Sequence, residues 1–320
     1  MFKQNTKKSK LIIEQHFHGA YGVDFANCTV KEVLNLSKTL LYHGIGGFFP
    51  TLATDTVENI KQQIEVFKKA STKQTPQMSK ILGVHLEGIF LNPEKKGIHD
   101  ESLFLKPTIE NFKLIEDDFI KIVTLAPELD KNFELSNYLK EKGIKVQAGH
   151  CTGGDLSACN GVTHLFNAMS PITHRTSSTA LSGLINDEIY TEIIADGIHF
   201  NDDTLELILK SKPFEKIILI SDCLPITNSD KTEMQFCNKT IYYDGKKATD
   251  KNGTLAGSTN LIDNIIQRLL KKNIDAFKLI ENTHKYHNIE LDGQILWNEN
   301  NQILSIEKDG HVLYRKDYLI

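Results

Sequence analysis

The 320-residue sequence lacks three features that would each indicate another class of protein. No apolar run approaches the ~20 residues that a helix needs to cross a bilayer, so we expect no membrane partner. No C-x-x-C pair is present, and an odd, scattered set of cysteines indicates free thiols in a reducing, cytoplasmic compartment. These cysteines are Cys28, Cys151, Cys159, Cys223 and Cys237. A formal net charge of -4 gives no electrostatic case for nucleic acid.

Eight short apolar runs are present instead, and most are continuous rather than alternating. Continuous apolar runs indicate strands that are buried on both faces, as in a parallel sheet. The predicted strands span residues 11–13, 46–51, 81–85, 122–125, 145–148, 163–166, 192–195 and 216–221.

Helical patterns lie between most of these strands. A capping box from Thr29 to Glu32 opens the first helix. Further helices are predicted around residues 57–67, 129–139, 205–208 and 261–270. Repeated strand–helix alternation predicts an α/β fold, a (β/α)8 TIM-type barrel over residues 11–285 with a hairpin insertion at about 234–253. Residues 286–320 are predicted to form a small, reduced β appendage, and a contribution from residues 1–10 is left open.

Metal-ligand residue types recur at the predicted C-terminal ends of the strands, where the chemistry of a barrel lies. A hydrogen-bonded core residue would explain any one of them, but it would have to be invoked separately at five strand ends. Histidine and carboxylate ligands suit Zn²⁺ or another divalent transition ion. The residues are His16 and His18, then Glu87, His150, His164 and Asp222.

Longer motifs around these residues carry a family resemblance. They are G-V-H-L-E-G-I-F-L-N-P-E-K-K-G-I-H-D at 83–100, A-G-H at 148–150, T-H-L-F-N-A-M-S at 163–170, A-D-G-I-H at 195–199, S-D at 221–222 and T-L-A-G-S at 254–258. With these motifs the chain resembles the amidohydrolase superfamily and, within it, the N-acetylglucosamine-6-phosphate deacetylases. The pair H-x-H at 16–18 marks only the superfamily, whereas the first and third motifs are far more specific.

The resemblance implies a role for each matching residue. Glu87, His150 and His164 match the main metal ligands, and His16 and His18 match a second metal position found in some members. One or two ions per subunit are therefore expected, with zinc favoured over iron, manganese or cobalt. Asp222 matches the general acid/base. The implied substrate contacts are Ile98, His99, Asn167, Ala168, Arg175, His199, Leu255, Ala256, Gly257 and Ser258.

Some of these contacts have a stated target in the family. His99 matches a contact to the substrate carbonyl, and Asn167, Ala168 and Arg175 match contacts to a phosphate. His199 matches a contact made to the substrate of the neighbouring subunit, which implies a homodimer with shared sites.

The implied activity is metal-dependent hydrolysis of N-acetylglucosamine 6-phosphate to glucosamine 6-phosphate and acetate, in amino-sugar catabolism. An N-acetylgalactosamine-6-phosphate deacetylase or another amidohydrolase remains open, because the phosphate contacts do not distinguish sugars that differ at C4. A truncated, inactive binding subunit remains open as well, because the resemblance implies a longer β-structured start than this chain has.

Overall fold

The structure is a computed structural model, and it describes residues 6–318 of the chain. Nineteen strands lie within that range. In chain order they are β1 (Lys7–Ser9), β2 (Ile12–Phe17), β3 (Gly19–Ala20), β4 (Val23–Asp24), β5 (Ile45–Ala53), β6 (Lys80–Ile81), β7 (Val84–Glu87), β8 (Ile120–Leu125), β9 (Lys145–Ala148), β10 (Gly161–Val162), β11 (Tyr190–Ile193), β12 (Ile217–Leu219), β13 (Glu233–Phe236), β14 (Lys239–Tyr243), β15 (Ala248–Asp250), β16 (Leu255–Gly257), β17 (Gly293–Trp297), β18 (Ile303–Lys308) and β19 (His311–Tyr314).

Eight α-helices lie within the same range. They are α1 (Val30–Tyr42), α2 (Val57–Ser71), α3 (Ile109–Lys113), α4 (Glu134–Glu141), α5 (Thr179–Ile185), α6 (Asp202–Ser211), α7 (Ile262–Lys271) and α8 (Ala276–His287). Short 3-10 turns are formed by Pro93–Lys95, Glu101–Leu103, Pro127–Leu129, Lys131–Phe133, Phe214–Lys216 and Arg315–Tyr318. Among the helices of residues 6–318, none has both the length and the apolar character that crossing a membrane requires.

A curled parallel sheet lies at the centre of the molecule. Its strand order is β2-β5-β7-β8-β9-β10-β11-β12, and β6 pairs with β5. Just past the strands, the two ends of this path are joined by backbone hydrogen bonds. His18 N–H donates to the carbonyl of Cys223 at 2.8 Å, and Asp222 N–H donates to the carbonyl of His16 at 2.9 Å. The arrangement confirms the predicted (β/α)8-type barrel, and the seam brings the ends of its first and eighth strands together.

The sixth barrel strand differs from the prediction. Residues 163–166 were predicted to be extended, but β10 ends at Val162 and the chain then bends and turns. The reason is the backbone: His164 has a φ of 29° and Phe166 a φ of 74°. Positive φ values are incompatible with a continuing strand, so His164 follows the strand instead of lying in it.

The sequence patterns did not predict helix α8, which packs against the bottom of the barrel. The side-chain amide of Asn282 donates to the carbonyls of Phe214 and Ile217, at 2.7 and 2.9 Å. The Tyr286 ring is buried within a cluster that includes Ile220. The predicted boundary at residue 285 therefore falls inside a helix. The last turn of this helix covers the barrel floor, the apolar layer formed by Ile13, Phe49 and Ile122.

Two antiparallel sheets flank the barrel. The segment predicted as a hairpin insertion at about 234–253 forms a four-stranded sheet in the order β13-β14-β15-β16. The other sheet has the order β1-β17-β18-β19, so residues from both ends of the described chain contribute to it. Trp297 is fully buried there, and its indole N–H donates to Ser9 Oγ at 2.9 Å. Residues 1–5, part of the segment whose contribution was left open, lie outside the described residues.

The barrel floor yields a stability prediction. Phe49 is 1% exposed, packs with Ile13 and Ile122, and has its ring centroid 4.6 Å from that of His287. We expect Phe49→Ala to lower the free energy of unfolding by about 3–5 kcal/mol, because it leaves a cavity in a closely packed layer. Denaturant titration followed by circular dichroism measures the change.

The matched control is Leu207→Ala on α6, where the side chain is 45% exposed. A surface truncation of this kind changes stability by at most about 0.5 kcal/mol. An equal loss of unfolding free energy in the two variants would contradict the prediction that close packing of the barrel floor stabilises the protein.

Candidate functional site

Glu87 lies at the end of β7 and is 2% exposed. One carboxylate oxygen, Oε1, lies 2.8 Å from His164 Nε2 and 3.2 Å from His150 Nε2. The other oxygen, Oε2, lies 3.0 Å from His18 Nε2 and 3.3 Å from His16 Nε2. Each oxygen of a single buried carboxylate therefore faces its own pair of imidazoles.

Asp222 completes one side of this cluster. Its Oδ1 lies 3.3 Å from His18 Nε2 and 3.4 Å from His16 Nε2. Two groups of side chains are therefore close enough to hold metal ions, with the candidate ligand atoms of each group within 4.8 Å of one another. The groups are His16, His18, Glu87 and Asp222, and Glu87, His150 and His164.

The partners of the ring nitrogens leave one nitrogen of each ring available to a metal ion. Three imidazoles have their outer nitrogen, Nδ1, beside an oxygen, which leaves Nε2 facing Glu87. These contacts are His16 with Glu192 Oε2 at 3.0 Å, His150 with the Lys95 carbonyl at 2.9 Å, and His18 with the Thr51 carbonyl at 3.3 Å. The Nε2 atom of His16 is buried and forms no hydrogen bond with the described residues. A lone pair on Nε2 would be repelled by the carboxylate oxygen 3.3 Å away, so either a proton on Nε2 or a divalent cation must lie between the two atoms.

The pKa shifts within the cluster are consistent with a site that can hold a cation. Burial alone raises the pKa of Glu87, but the charge on His16 and the hydrogen bonds to His150 and His164 hold it well below its ordinary range. Burial alone lowers the pKa of His18, yet hydrogen bonds to Asp222 and Glu87 raise it to about 9. Glu87 is therefore ionised, and protons on the imidazoles and a bound cation are alternative ways to balance its charge.

Backbone strain turns three of the side chains inward. His150, His164 and Asp222 have φ values of 48°, 29° and 51°, although none is glycine. Each such residue costs about 1–3 kcal/mol and persists only where the surrounding structure holds it. All three lie within three residues of the end of a barrel strand, where the positive φ turns the chain away from the strand direction.

The cluster forms the floor of a cavity of about 310 Å³. Most of the predicted substrate contacts line it. These are Ile98, His99, Asn167, Ala168, His199, Leu255, Ala256 and Gly257. Ser258 lies outside the lining, where its buried backbone N–H donates to the Asp222 carbonyl at 2.8 Å. Arg175 also lies outside the lining, within an exposed stretch that spans residues 171–177.

His199, which the resemblance matches to a contact with the substrate of the neighbouring subunit, also lines the cavity of its own chain. Its Nδ1 lies 2.9 Å from Asp196 Oδ2, and its side chain is only 4% exposed. Asp196 therefore holds the His199 ring at the wall of the cavity.

Four further residues of the site were not identified from the sequence. Phe236, Thr254 and Gly97 also line the cavity, and the Phe236 ring centroid lies 5.1 Å from that of His18. Gly97 has a φ of 55°, and a Cβ there would come within 3.3 Å of the His150 ring. Glu192, the partner of His16, is a carboxylate in the otherwise uncharged strand β11, and that is the one local signal that could have indicated it.

Known proteins resemble the chain in both sequence and structure. It is 32% identical over 259 residues to the N-acetylglucosamine-6-phosphate deacetylase of Bacillus subtilis (strain 168), a match that covers 77% of this chain and 65% of that protein. It is 32% identical over 286 residues to the enzyme of the same name from Rattus norvegicus, covering 81% of this chain and 68% of that protein. The chain thus spans about two thirds of the length of these curated relatives.

Solved structures agree with the fold. The crystal structure of N-acetylglucosamine-6-phosphate deacetylase from Pasteurella multocida matches with a TM-score of 0.87 at 25% identity, covering 97% of this chain and 87% of that chain. No family model matches the chain.

The shared carboxylate leads to a prediction about metal content. We expect Glu87→Gln to lower metal binding in both ligand groups, because each group uses one of its oxygens. His150→Asn should affect only the group on Oε1, and His16→Asn only the group on Oε2. Metal analysis per chain after equilibration with zinc measures the outcome.

The control is His311→Asn, the same substitution at an exposed position on β19. It should keep the wild-type metal content. Full retention of metal in Glu87→Gln would contradict its assignment as a shared ligand.

Proposed function

The chain belongs to the family of N-acetylglucosamine-6-phosphate deacetylases, and on that premise we propose that it hydrolyses N-acetylglucosamine 6-phosphate to glucosamine 6-phosphate and acetate in amino-sugar catabolism. The observation that carries the proposal is the Glu87 carboxylate, shared by two ligand groups on the floor of a cavity beside Asp222. The cavity of about 310 Å³ is at the lower end of ligand pockets, about 300–1,000 Å³, and suits a single sugar residue.

The residues fit a divalent ion, and we take zinc as the first candidate, with iron, manganese or cobalt as alternatives. Glu87 with His150 and His164 would hold one ion, and His16, His18 and Asp222 with the same Glu87 would hold a second. When bound, such an ion supplies Lewis acidity to an acetamide carbonyl, which is a poor electrophile, and to the attacking water.

Asp222 is the proposed general base and acid. Burial alone raises its pKa, but the hydrogen bond to His18 and the charge on His16 bring the pKa below its ordinary value. The carboxylate is therefore ionised at neutral pH and can take a proton from the attacking water. It then passes that proton to the nitrogen as the C–N bond breaks, because an unprotonated nitrogen is a poor leaving group.

His99 is the proposed donor to the acetamide oxygen. Its Nδ1 accepts a hydrogen bond from the backbone N–H of Thr54 at 3.3 Å, so the ring proton lies on Nε2. That Nε2 lies 3.8 Å from Glu87 Oε2 at the floor of the cavity. Burial, together with the charge on His150, holds the pKa of His99 well below its ordinary value, so the ring is neutral. A fixed N–H there stabilises the negative charge that develops on the oxygen during attack.

The phosphate is proposed to meet Arg175 of a second subunit in a homodimer. Arg175 is exposed, as is the neighbouring Ile172 at 42%, and neither lines the cavity of its own chain. A guanidinium suits a phosphate because its planar fork can donate two hydrogen bonds at once. Closed two-fold symmetry is the simplest arrangement that supplies the same residue to both sites.

The proposal also covers the cellular compartment and the choice between two sugar epimers. The cytoplasm is favoured because all five cysteines are free thiols. An N-acetylgalactosamine 6-phosphate substrate differs only at C4 and remains the second candidate for the site.

Acetate release from the purified, zinc-loaded protein tests the activity. We expect release from N-acetylglucosamine 6-phosphate at a higher kcat/KM than from the galactosamine epimer. Asp222→Asn should lower kcat about 10²–10⁴-fold, because an amide cannot carry the proton. The ion held by His150 and His164 should be retained.

Asp230→Asn, the same substitution at an exposed position, is the matched control and should keep wild-type rates. A faster reaction with the epimer would favour the second candidate. No acetate from either sugar, with zinc bound, would favour an inactive binding subunit, and an Asp222→Asn rate within about tenfold of wild type would exclude the acid/base role.

The shared phosphate site leads to a separate prediction. Arg175→Ala removes a charge-assisted hydrogen bond of about 1.5–3 kcal/mol. We therefore expect it to raise KM for the 6-phosphate about ten- to a hundredfold. Unphosphorylated N-acetylglucosamine, which carries no anion, should be hydrolysed at an unchanged rate and serves as the internal control.

Mixing the Arg175→Ala and Asp222→Asn proteins should restore part of the activity. In a hybrid dimer, one site pairs an intact Asp222 with an intact Arg175 from the other subunit. Sedimentation of a fully active monomer would exclude the shared site while leaving the metal chemistry intact.

A further inference from the structure

A series of buried hydrogen bonds leads from His16 away from the cavity. His16 Nδ1 lies 3.0 Å from Glu192 Oε2, and both residues are fully buried. Glu192 Oε1 accepts from the side-chain amide of Gln15, and Gln15 Oε1 lies 2.8 Å from His287 Nε2. The series therefore connects a candidate metal ligand on β2 through β11 to the last residue of α8.

The Glu192 carboxylate can only accept, and it therefore determines the position of each proton in this series. It accepts from the Gln15 amide, so Gln15 Oε1 faces His287 and accepts from its Nε2–H. Burial and the charge on Lys145 lower the pKa of His287 to about 3, so that ring is neutral and has one proton to donate. Since Glu192 is an acceptor, His16 carries its ring proton on Nδ1, which leaves Nε2 as its free ligand atom.

Glu192 also contacts the other ligand group. The backbone N–H of His164 donates to Glu192 Oε2 at 3.2 Å. His164 is one of the residues with positive φ, and its Nε2 faces Glu87 Oε1. One buried carboxylate therefore holds the ring of His16 in the first group and the strained backbone of His164 in the second.

We propose that Glu192 is a positioning residue for the metal centre, oriented by Gln15 and His287, and that it fixes the His16 ring for ligation. The inference rests on the proposed metal-dependent function. Carboxylate partners of metal-bound histidines fix the tautomer and raise the basicity of the ring. Their loss typically lowers metal affinity about 10- to 100-fold.

The test is the substitution Glu192→Gln, which keeps the shape of the side chain and removes its charge. In either orientation its amide NH2 faces another donor, the Gln15 amide or the Nδ1–H of His16, so the order of donors and acceptors is broken. We expect the Zn²⁺ dissociation constant, measured by chelator competition, to rise about 10- to 100-fold. The ion count per chain should fall at the group that contains His16, whereas the denaturation midpoint of the metal-free protein should change little.

Thr191→Val is the matched control, one residue earlier on β11. Thr191 is fully buried and its hydroxyl donates to the Gly183 carbonyl at 2.9 Å. This variant removes a buried hydrogen bond without touching a candidate ligand. We expect it to be less stable than the wild type and to bind Zn²⁺ with unchanged affinity.

His287→Leu keeps the proposal testable if Glu192→Gln does not fold. It removes the donor at the far end of the series and should weaken Zn²⁺ binding in the same direction, by a smaller factor. Wild-type Zn²⁺ affinity in Glu192→Gln, or in His287→Leu where that is the only folded variant, would overturn the inference. An equal loss in Thr191→Val would overturn it as well, because the effect would then be one of general stability. A wild-type chain that binds zinc and releases no acetate contradicts the proposed function without affecting these results.

Discussion

The rest of the site depends on one buried negative charge, the carboxylate of Glu87. A carboxylate withdrawn from water is tolerated only where opposite charges and hydrogen-bond donors surround it. Here four imidazole nitrogens, those of His16, His18, His150 and His164, lie within 3.3 Å of its oxygens. They come from the ends of three other barrel strands, so the charge is compensated only when the whole barrel is assembled. A bound cation would satisfy the same atoms, which is why folding and metal binding are expected to be coupled.

The seam between the first and eighth strands sets the geometry on one side of that charge. The backbone hydrogen bonds of His18 to Cys223 and of Asp222 to His16 hold these strand ends together. The proposed acid/base is thereby kept at a fixed distance from two candidate ligands. The same closure maintains the positive φ of Asp222, because a strained backbone persists only where neighbouring contacts determine it. The position of the proposed acid/base and the closure of the barrel are therefore consequences of the same contacts.

The barrel and most of the cluster could be predicted because both follow from local patterns. Continuous apolar runs indicated the strands, and ligand-type residues stood at their ends. Helix α8 could not be predicted in this way, because its buried face includes Asn282 and His284, polar residues that are satisfied by backbone carbonyls of distant segments. The place of Phe236 over the cavity depends on how an antiparallel sheet packs on the barrel. Glu192 is identified as part of the site only by its contact with His16, 176 residues away in the sequence. A local sequence pattern cannot predict such a contact.

The barrel interior has an apolar layer at one end and a polar layer next to the candidate metal ligands. TIM-type barrels are usually filled with bulky apolar side chains, and the floor layer of Ile13, Phe49 and Ile122 follows that rule. The layer next to the candidate metal ligands is polar instead: His85 lies 3.0 Å from the Gln15 carbonyl and 2.8 Å from Thr124 Oγ1. Burial lowers the pKa of His85 to about 3, so this ring is a neutral support rather than a charge in the cluster. A single buried hydrogen bond adds only modest net stability, but a fully satisfied polar network holds its members in one arrangement. The apolar floor and α8 can therefore supply the stability that allows the layer above them to position ligands.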